Sequence, residues 1–224
     1  MMARLPADPE GFIRANTALM APALVPEFKL WLASEYVPIW QATEAWLEEQ
    51  NVDPPYWAFC WPGGQAIARY LLDHPALVAG KHVVDFAAGS GVSAMAAARA
   101  GAASVLVNDI DGLSLVAACL NAEANDLSFD VSAEDWLVGP EGAPVADVVI
   151  AGDVCYEREM SARALAWLRS HARLGRLVLL GDPGRNYFSA QGLKECARYE
   201  IPTSLQLENR GMRETVVWQV LPHP

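Results

Sequence analysis

The residues best suited to chemistry sit in VVDFAAGSGVSA, residues 83–94. An apolar run leads to Asp85. Small residues follow, with Ala87, Gly89 and Gly91 at every second position, and an alanine-rich run comes after them. Glycine carries no Cβ, so the pattern marks backbone that approaches a ligand closely. A second carboxylate, Asp109, closes the next apolar run, SVLVND. Further on, AEDW sets Asp135 beside Trp136, and GDVCYE sets Asp153 three residues before Tyr156. Carboxylates at the ends of apolar runs, next to glycines and aromatics, suit the binding of a nucleoside and of a cation.

Three ligands compete for the glycine segment. A phosphate-binding P-loop needs a lysine after its glycines. No lysine lies between Lys81 and Lys194, which excludes it. A dinucleotide loop of the form G-x-G-x-x-A is matched by Gly89 to Ala94. Asp85 would then face a pyrophosphate, charge against like charge. The third ligand, S-adenosylmethionine, has no phosphate but has an ammonium end, which Asp85 suits. Asp109 can take both ribose hydroxyls of either nucleoside, so it does not choose between them. Asp135 can accept from an adenine amino group, and Trp136 can pack on the ring. Each residue also has a plainer reading: Asp85 and Asp109 as helix-capping or turn acids, Asp135 as a surface acid, Trp136 as a core aromatic.

These residues need elements to position them. From residue 81 onward, apolar runs of strand length alternate with helical patterns: KHVVDFA, SVLVND, LSFDVS, ADVVIAGD and RLVLLGD as strands, with GVSAMAAARAGA, GLSLVAACLNAEAND and EREMSARALAWLRSHARLG as helices. Strands apolar on both faces, alternating with helices, imply a parallel sheet covered on both sides. In such a sheet ligands bind beyond the C-terminal strand ends, where Asp85, Asp109 and Asp153 fall. ARYEIPT and RETVVWQVL lack a long helix between them and suggest an antiparallel pair at one edge. Upstream, residues 8–20 read as a helix, EFKLWLA as a strand and residues 37–50 as a helix; GGQAIARYLLDHP forms another helix, stopped before Pro75. The expected partition is an N-terminal extension over residues 1–54 and one α/β domain over 55–224.

Composition narrows the function. The 224 residues are 53% hydrophobic, enough for one sizeable core. A net charge of −11 argues against nucleic acid; it suits a neutral or basic partner and, as readily, plain solubility. Four separated cysteines and four unpaired histidines make no metal-ligand spacing, so no metal is expected. Three of the cysteines sit among apolar residues, as buried reduced thiols do. The N-terminus lacks the apolar core of a signal peptide and no run is long enough to span a membrane, so a cytoplasmic protein with no membrane partner is expected.

VVDFAAGSGVSA, VNDID, AEDW and GDVCYE together resemble the class I, seven-strand S-adenosylmethionine-dependent methyltransferases. The resemblance implies a Rossmann-like sheet of order 3-2-1-4-5-7-6 with strand 7 antiparallel. DVCY is similar to the D-x-x-Y motif of the protein lysine methyltransferases of human family 16. YWAFCWPGGQAIARYLLDHP and GDPGRNYF narrow the likeness to the electron transfer flavoprotein β-subunit lysine methyltransferases. It covers roughly residues 55–190. Ala87 stands where the family has the first loop glycine, a methyl that is tolerated if that backbone stays out of the left-handed region.

By this resemblance Asp85, Ala87, Gly89, Gly91 and Asp109 would hold S-adenosylmethionine, later S-adenosylhomocysteine. Asp135 and Trp136 would address the adenine, and Trp61 the cofactor entrance. Asp153 and Tyr156 would flank the incoming lysine amine, with Trp57 and Trp61 as further aromatic faces for a methylated ammonium. Trp57 and Trp61 read equally well as core packing, and Asp153 as the N-cap of the helix after it. Arg185 and Asn186, in the turn GDPGRNYF, would contact a substrate peptide or brace Asp153. The implied activity is methylation of protein lysine, the implied partner the electron transfer flavoprotein β-subunit, and the implied state a monomer. A small-molecule amine or pyridine N-methyltransferase is the alternative.

Overall fold

Helix α1 (Pro9–Asn16) opens the chain, with Asp8 accepting from the Gly11 amide at its start. A short antiparallel hairpin follows, β1 (Ala18–Met20) and β2 (Leu30–Leu32). The expected helix over 8–20 therefore ends early, and its last residues pair as a strand. The computed structural model describes residues 5–34, 44–138, 145–203, 208 and 211–222. Helix α2 (Glu44–Glu49) is the part of the expected 37–50 helix within them; residues 37–43 lie outside.

After α3 (Pro62–Asp73), strands and helices alternate: β3 (His82–Phe86), α4 (Val92–Arg99), β4 (Ser104–Asn108), α5 (Gly112–Glu123), β5 (Asp130–Ser132), β6 (Val148–Gly152), α6 (Arg158–Arg173), β7 (Leu177–Asp182), β8 (Leu193–Pro202) and β9 (Met212–Val220). The seven strands from β3 onward form one sheet of order β5-β4-β3-β6-β7-β9-β8. Counted from β3 as strand 1, this is 3-2-1-4-5-7-6. β9 runs antiparallel to β7 and to β8, while the other pairs are parallel.

Successive strand residues point to opposite faces, and both faces are apolar. Val83, Val148, Ile150 and Leu179 join Ala66, Ile67, Met95 and Ala97 of α3 and α4 on one side. Val84, Val149, Val178 and Leu180 join Ala164, Leu165 and Leu168 of α6 on the other. That double burial fixes the strand register, since a slip by one residue would exchange the faces.

A third cluster seats the N-terminal segment on α5. Phe12, Ile13, Ala33, Leu47, Val52 and Trp57 pack against Leu113, Ala117 and Leu120. Backbone pairing supports it: Asn121 accepts from the Trp31 amide at 2.7 Å, and the Asn125 side chain accepts from the Lys29 amide and donates to the Lys29 carbonyl at 2.9 and 2.6 Å. Two asparagines thus serve the backbone of the β2 region as another strand would.

All four cysteines are free, but only Cys155 is buried and Cys119 is exposed, contrary to the expectation of mostly buried thiols. No helix among the described residues is long and apolar enough to cross a membrane. No metal-holding cluster of His, Cys, Asp or Glu occurs among them.

Candidate active site

A cleft of about 840 Å³ lies beyond the C-terminal ends of β3, β4 and β6, a size usual for small-ligand sites. Ala87, Gly89, Asp109, Asp135, Trp136, Asp153, Tyr156, Trp61 and Arg185 all line it. Asp85 lines a recess of about 30 Å³ whose walls Trp61, Ala87 and Asp153 share with the cleft. Three expected site residues stand apart. Gly91 lines neither space, Trp57 is fully buried, and Asn186 is exposed without lining the cleft.

The glycine loop divides its labour. Gly89 has φ +53°, and a Cβ there would meet nothing within 4 Å, so this position keeps the cleft open. Gly91 has φ +74°, and its Cβ would stand 2.9 Å from Cβ of Ala118, so this position lets α4 pack on α5. Ala87 has φ +53°. Its backbone is left-handed, so the condition under which its methyl would be readily tolerated is not met, at a cost of roughly 1–2 kcal/mol for a residue bearing a Cβ.

Asp85 is buried and accepts from the Ala94 amide in the first turn of α4 at 2.9 Å. It caps that helix from the preceding strand. Burial pushes its pKa up to about 8; the Ala94 hydrogen bond opposes this and Asp109 adds to it. Asp109 accepts from the Gly89 amide (3.0 Å), the Asp111 amide (3.0 Å) and the Ser114 hydroxyl (3.1 Å), so it also braces the glycine loop. Its pKa is raised by burial against those bonds. Asp135 is exposed, with its carboxylate on the Leu137 amide. Trp136 combines both of its readings: it is buried and lines the cleft, donating from Nε1 to Glu134 and stacked on Trp167 at 6.0 Å.

Asp153 stands just past β6 with φ +58°, unusual for a residue with a Cβ. The N-cap of α6 is Glu157, so Asp153 does not cap its own following helix. It caps another: Oδ2 accepts from the Gly64 amide, in the first turn of α3, at 3.2 Å. Trp61, the N-cap of α3, offers no side-chain bond there. Close packing of glycines makes this possible. Gly63 lies against Gly181 and Asp153, and a Cβ on Gly152 would sit 2.7 Å from the Gly64 nitrogen. The W-P-G-G and G-D-P-G-R stretches thus interlock around the ends of β6 and β7.

The guanidinium of Arg185 holds the other carboxylate oxygen. Nε and Nη2 donate to Oδ1 of Asp153 at 3.1 and 2.7 Å, and Cζ lies 5.3 Å from the Trp61 ring centroid. Arg185 therefore braces Asp153. Burial raises the Asp153 pKa, while Arg185 favours the charged carboxylate.

An aromatic wall lines the same cleft as Asp153. Tyr156 is 46% exposed and its ring centroid is 5.7 Å from that of Tyr56, itself 54% exposed. Tyr56 in turn lies 6.3 Å from Trp61, whose Nε1 donates to the Tyr56 carbonyl. Tyr56 was missed in the sequence, where its neighbour Trp57 was expected to serve. The 3-10 turn Tyr56–Ala58 sends Trp57 into the core and leaves Tyr56 on the cleft.

A family model described as ribosomal protein L11 methyltransferase (PrmA) matches residues 69–154. The electron transfer flavoprotein beta subunit lysine methyltransferase of Xenopus laevis is 38% identical over 96% of this chain and 87% of its own length. The solved ribosomal protein L11 methylase of Lactobacillus delbrueckii subsp. bulgaricus superposes with a TM-score of 0.55 at 21% identity, over 90% of this chain and 99% of that one. Magnesium protoporphyrin IX methyltransferase from Synechocystis PCC 6803, solved with bound SAM, gives a TM-score of 0.52 at 18% identity, over 70% of this chain and 77% of that one. The last two show a shared fold.

Proposed function

The chain belongs to the electron transfer flavoprotein beta subunit lysine methyltransferases, and from that membership we propose that it methylates lysines of an electron transfer flavoprotein β-subunit at the cleft beside Asp153. It is a protein-lysine N-methyltransferase that uses S-adenosylmethionine. The observation that carries the site is the placement of Asp153, held by α3 and Arg185 and facing the cleft between the glycine loop and the Tyr56–Tyr156 wall.

The residues present fit the cofactor. Gly89 leaves room for it, Asp109 faces the cleft for a ribose, Trp136 offers a ring for the base, and Asp85 offers a buried carboxylate for the amino end. When bound, S-adenosylmethionine supplies a methyl group on a cationic sulfonium that leaves as a neutral thioether. The protein needs no general acid for that departure. Its tasks are alignment and a neutral amine.

A lysine has a pKa of about 10.4, so holding it neutral at pH 7 costs about 4.6 kcal/mol. Desolvation of an amine docked against the Tyr56–Tyr156 wall lowers that cost by disfavouring the ammonium. Asp153 acts in the opposite sense: it attracts and orients the ammonium on arrival. Its pairing with Arg185 tempers the attraction. The Tyr56, Tyr156 and Trp61 faces supply cation–π contact to a methylated amine, about 0.5–2 kcal/mol. Trp57, fully buried, offers no face to the amine, and Asn186, exposed outside the cleft wall, could meet only a part of the substrate protein that lies beyond the cleft.

Radiolabelled methyl transfer from S-adenosylmethionine to purified electron transfer flavoprotein tests this, beside an Asp153→Asn variant that tolerates the same backbone conformation. Label is expected on β-subunit lysines and should fall at least 100-fold in the variant. No label from wild-type protein that calorimetry shows to bind the cofactor would reject the substrate.

A further inference from the structure

Arg185 does not act alone. Its Nη1 and Nη2 also donate to Glu208, at 3.0 and 2.8 Å, in a two-pronged pair. The Glu208 side chain is 3% exposed, and its Oε2 accepts as well from Nε of Arg213 at 2.9 Å. The guanidinium is thus shared between a carboxylate on the cleft and one behind it, in the stretch between β8 and β9. Burial works against the charge of Arg185, but Asp153 and Glu208 outweigh it and raise its pKa.

We infer that Glu208 is a positioning residue for methyl transfer: it fixes Arg185 on Asp153 and cancels the positive charge that Arg185 would otherwise add beside two incoming cations. The geometric argument is that an arginine has two donor edges. With Glu208 in place, one edge is tied back and the Nε–Nη2 edge is presented to Asp153 in a single orientation, stacked over Trp61. Without it, the second edge is free and the guanidinium can turn. The electrostatic argument is a count. The sulfonium and the substrate ammonium both approach Asp153, whose charge Arg185 alone would neutralise. Without Glu208, Asp153, Arg185 and the nearby Arg213 would carry one net positive charge; with Glu208, which also pairs with Arg213, the four groups are neutral. Asp153 can then be held rigidly by a cation without the cluster repelling the incoming ones.

The inference rests on the reading that Asp153 meets the substrate amine, and the test keeps the two apart. Glu208→Gln keeps the shape and removes the charge; Glu208→Asp keeps the charge on a shorter arm. The first readout needs no substrate: the Nε–H resonance of Arg185, identified by its loss in Arg185→Lys. It should be sharp in the wild type, broadened or lost in Glu208→Gln, and restored at least in part in Glu208→Asp. The second is steady-state transfer to electron transfer flavoprotein. Glu208→Gln should lower kcat at least 10-fold with the KM for S-adenosylmethionine changed less than twofold, and its pH profile should shift to lower pH, since loss of a negative charge makes the amine easier to deprotonate. An unchanged Arg185 resonance, or wild-type kcat and pH profile in Glu208→Gln, overturns the inference. Should Glu208→Gln fail to fold, Glu208→Gln combined with Arg213→Leu removes the outer pair without leaving an unpaired cation there; a folded double variant with wild-type kcat overturns it equally. Absence of transfer by the wild type counts against the substrate reading alone, and the Arg185 resonance still decides this one.

Discussion

Asp153 and Asp85 share a design at the scale of single residues. Each is buried at a strand end and accepts a backbone N–H from the first turn of a helix, so each is aimed by the helix it caps. For Asp85 the consequence is a titration. With its pKa near 8 it is largely protonated at pH 7 in the free protein. A bound ammonium would favour the carboxylate, so cofactor binding at pH 7 should release a proton, and affinity should rise from pH 6 to 7, by at most about tenfold for one proton. Calorimetry in buffers of different ionisation enthalpy measures the release. Folding stability of the free protein follows the opposite direction. A carboxyl with a raised folded-state pKa binds more protons folded than unfolded, so its contribution falls as pH rises between the unfolded value of about 4 and 8.

The loop glycines separate binding from folding. Gly91→Ala combines a left-handed backbone with a clash on Ala118 and should cost about 2–5 kcal/mol of stability, read by denaturant titration. Gly89→Ala meets no neighbour, so it should cost only about 1–2 kcal/mol, with cofactor affinity weakened at least 10-fold by calorimetry. If Gly89→Ala binds normally, the cofactor does not approach that backbone.

At the scale of elements, the site depends on how few atoms separate α3 from β6 and β7. The glycines of two distant stretches touch, and that contact brings Trp61, Asp153 and Arg185 to one place. The hairpin and α5 form the other joint. Asn125→Ala would leave the Lys29 amide and carbonyl without their partner, a loss of about 1–3 kcal/mol. Thermal unfolding should register it as a drop of several degrees. An unchanged midpoint would mean that the amide bridge adds nothing to the apolar contact beneath it.

Across the whole molecule, charge is distributed to purpose. Seven carboxylates line the cleft against two arginines, one of which, Arg185, is already committed to Asp153 and Glu208. A chain of net charge −11 with such a cleft attracts a cationic segment from a distance. The Debye length falls to about 10 Å at 0.1 M salt, so kcat/KM for a basic substrate should fall several-fold between low salt and about 0.3 M. A flat salt profile would assign recognition to contact alone.

The sequence by itself determined the sheet and its ligand edge, because double-sided apolar runs and left-handed glycines are local signals that tertiary packing does not override. It put Asp109 at a strand end, which can be counted along the chain; Asp153 and Tyr156 came from the likeness of DVCY to the D-x-x-Y motif, and all three line the cleft. It could not choose between Trp57 and Tyr56. They are adjacent, and only the 3-10 turn decides which one faces the core. It could not tell that Ala87 accepts a left-handed backbone, which the surrounding loop imposes. The partners of Arg185 lay furthest from reach: Asp153 is 32 residues before it and Glu208 is 23 after it. Only the closure of the sheet around β7 and β9 brings three charges from three separate segments within hydrogen-bonding distance, and the chain carries no local mark of which carboxylates will meet the guanidinium.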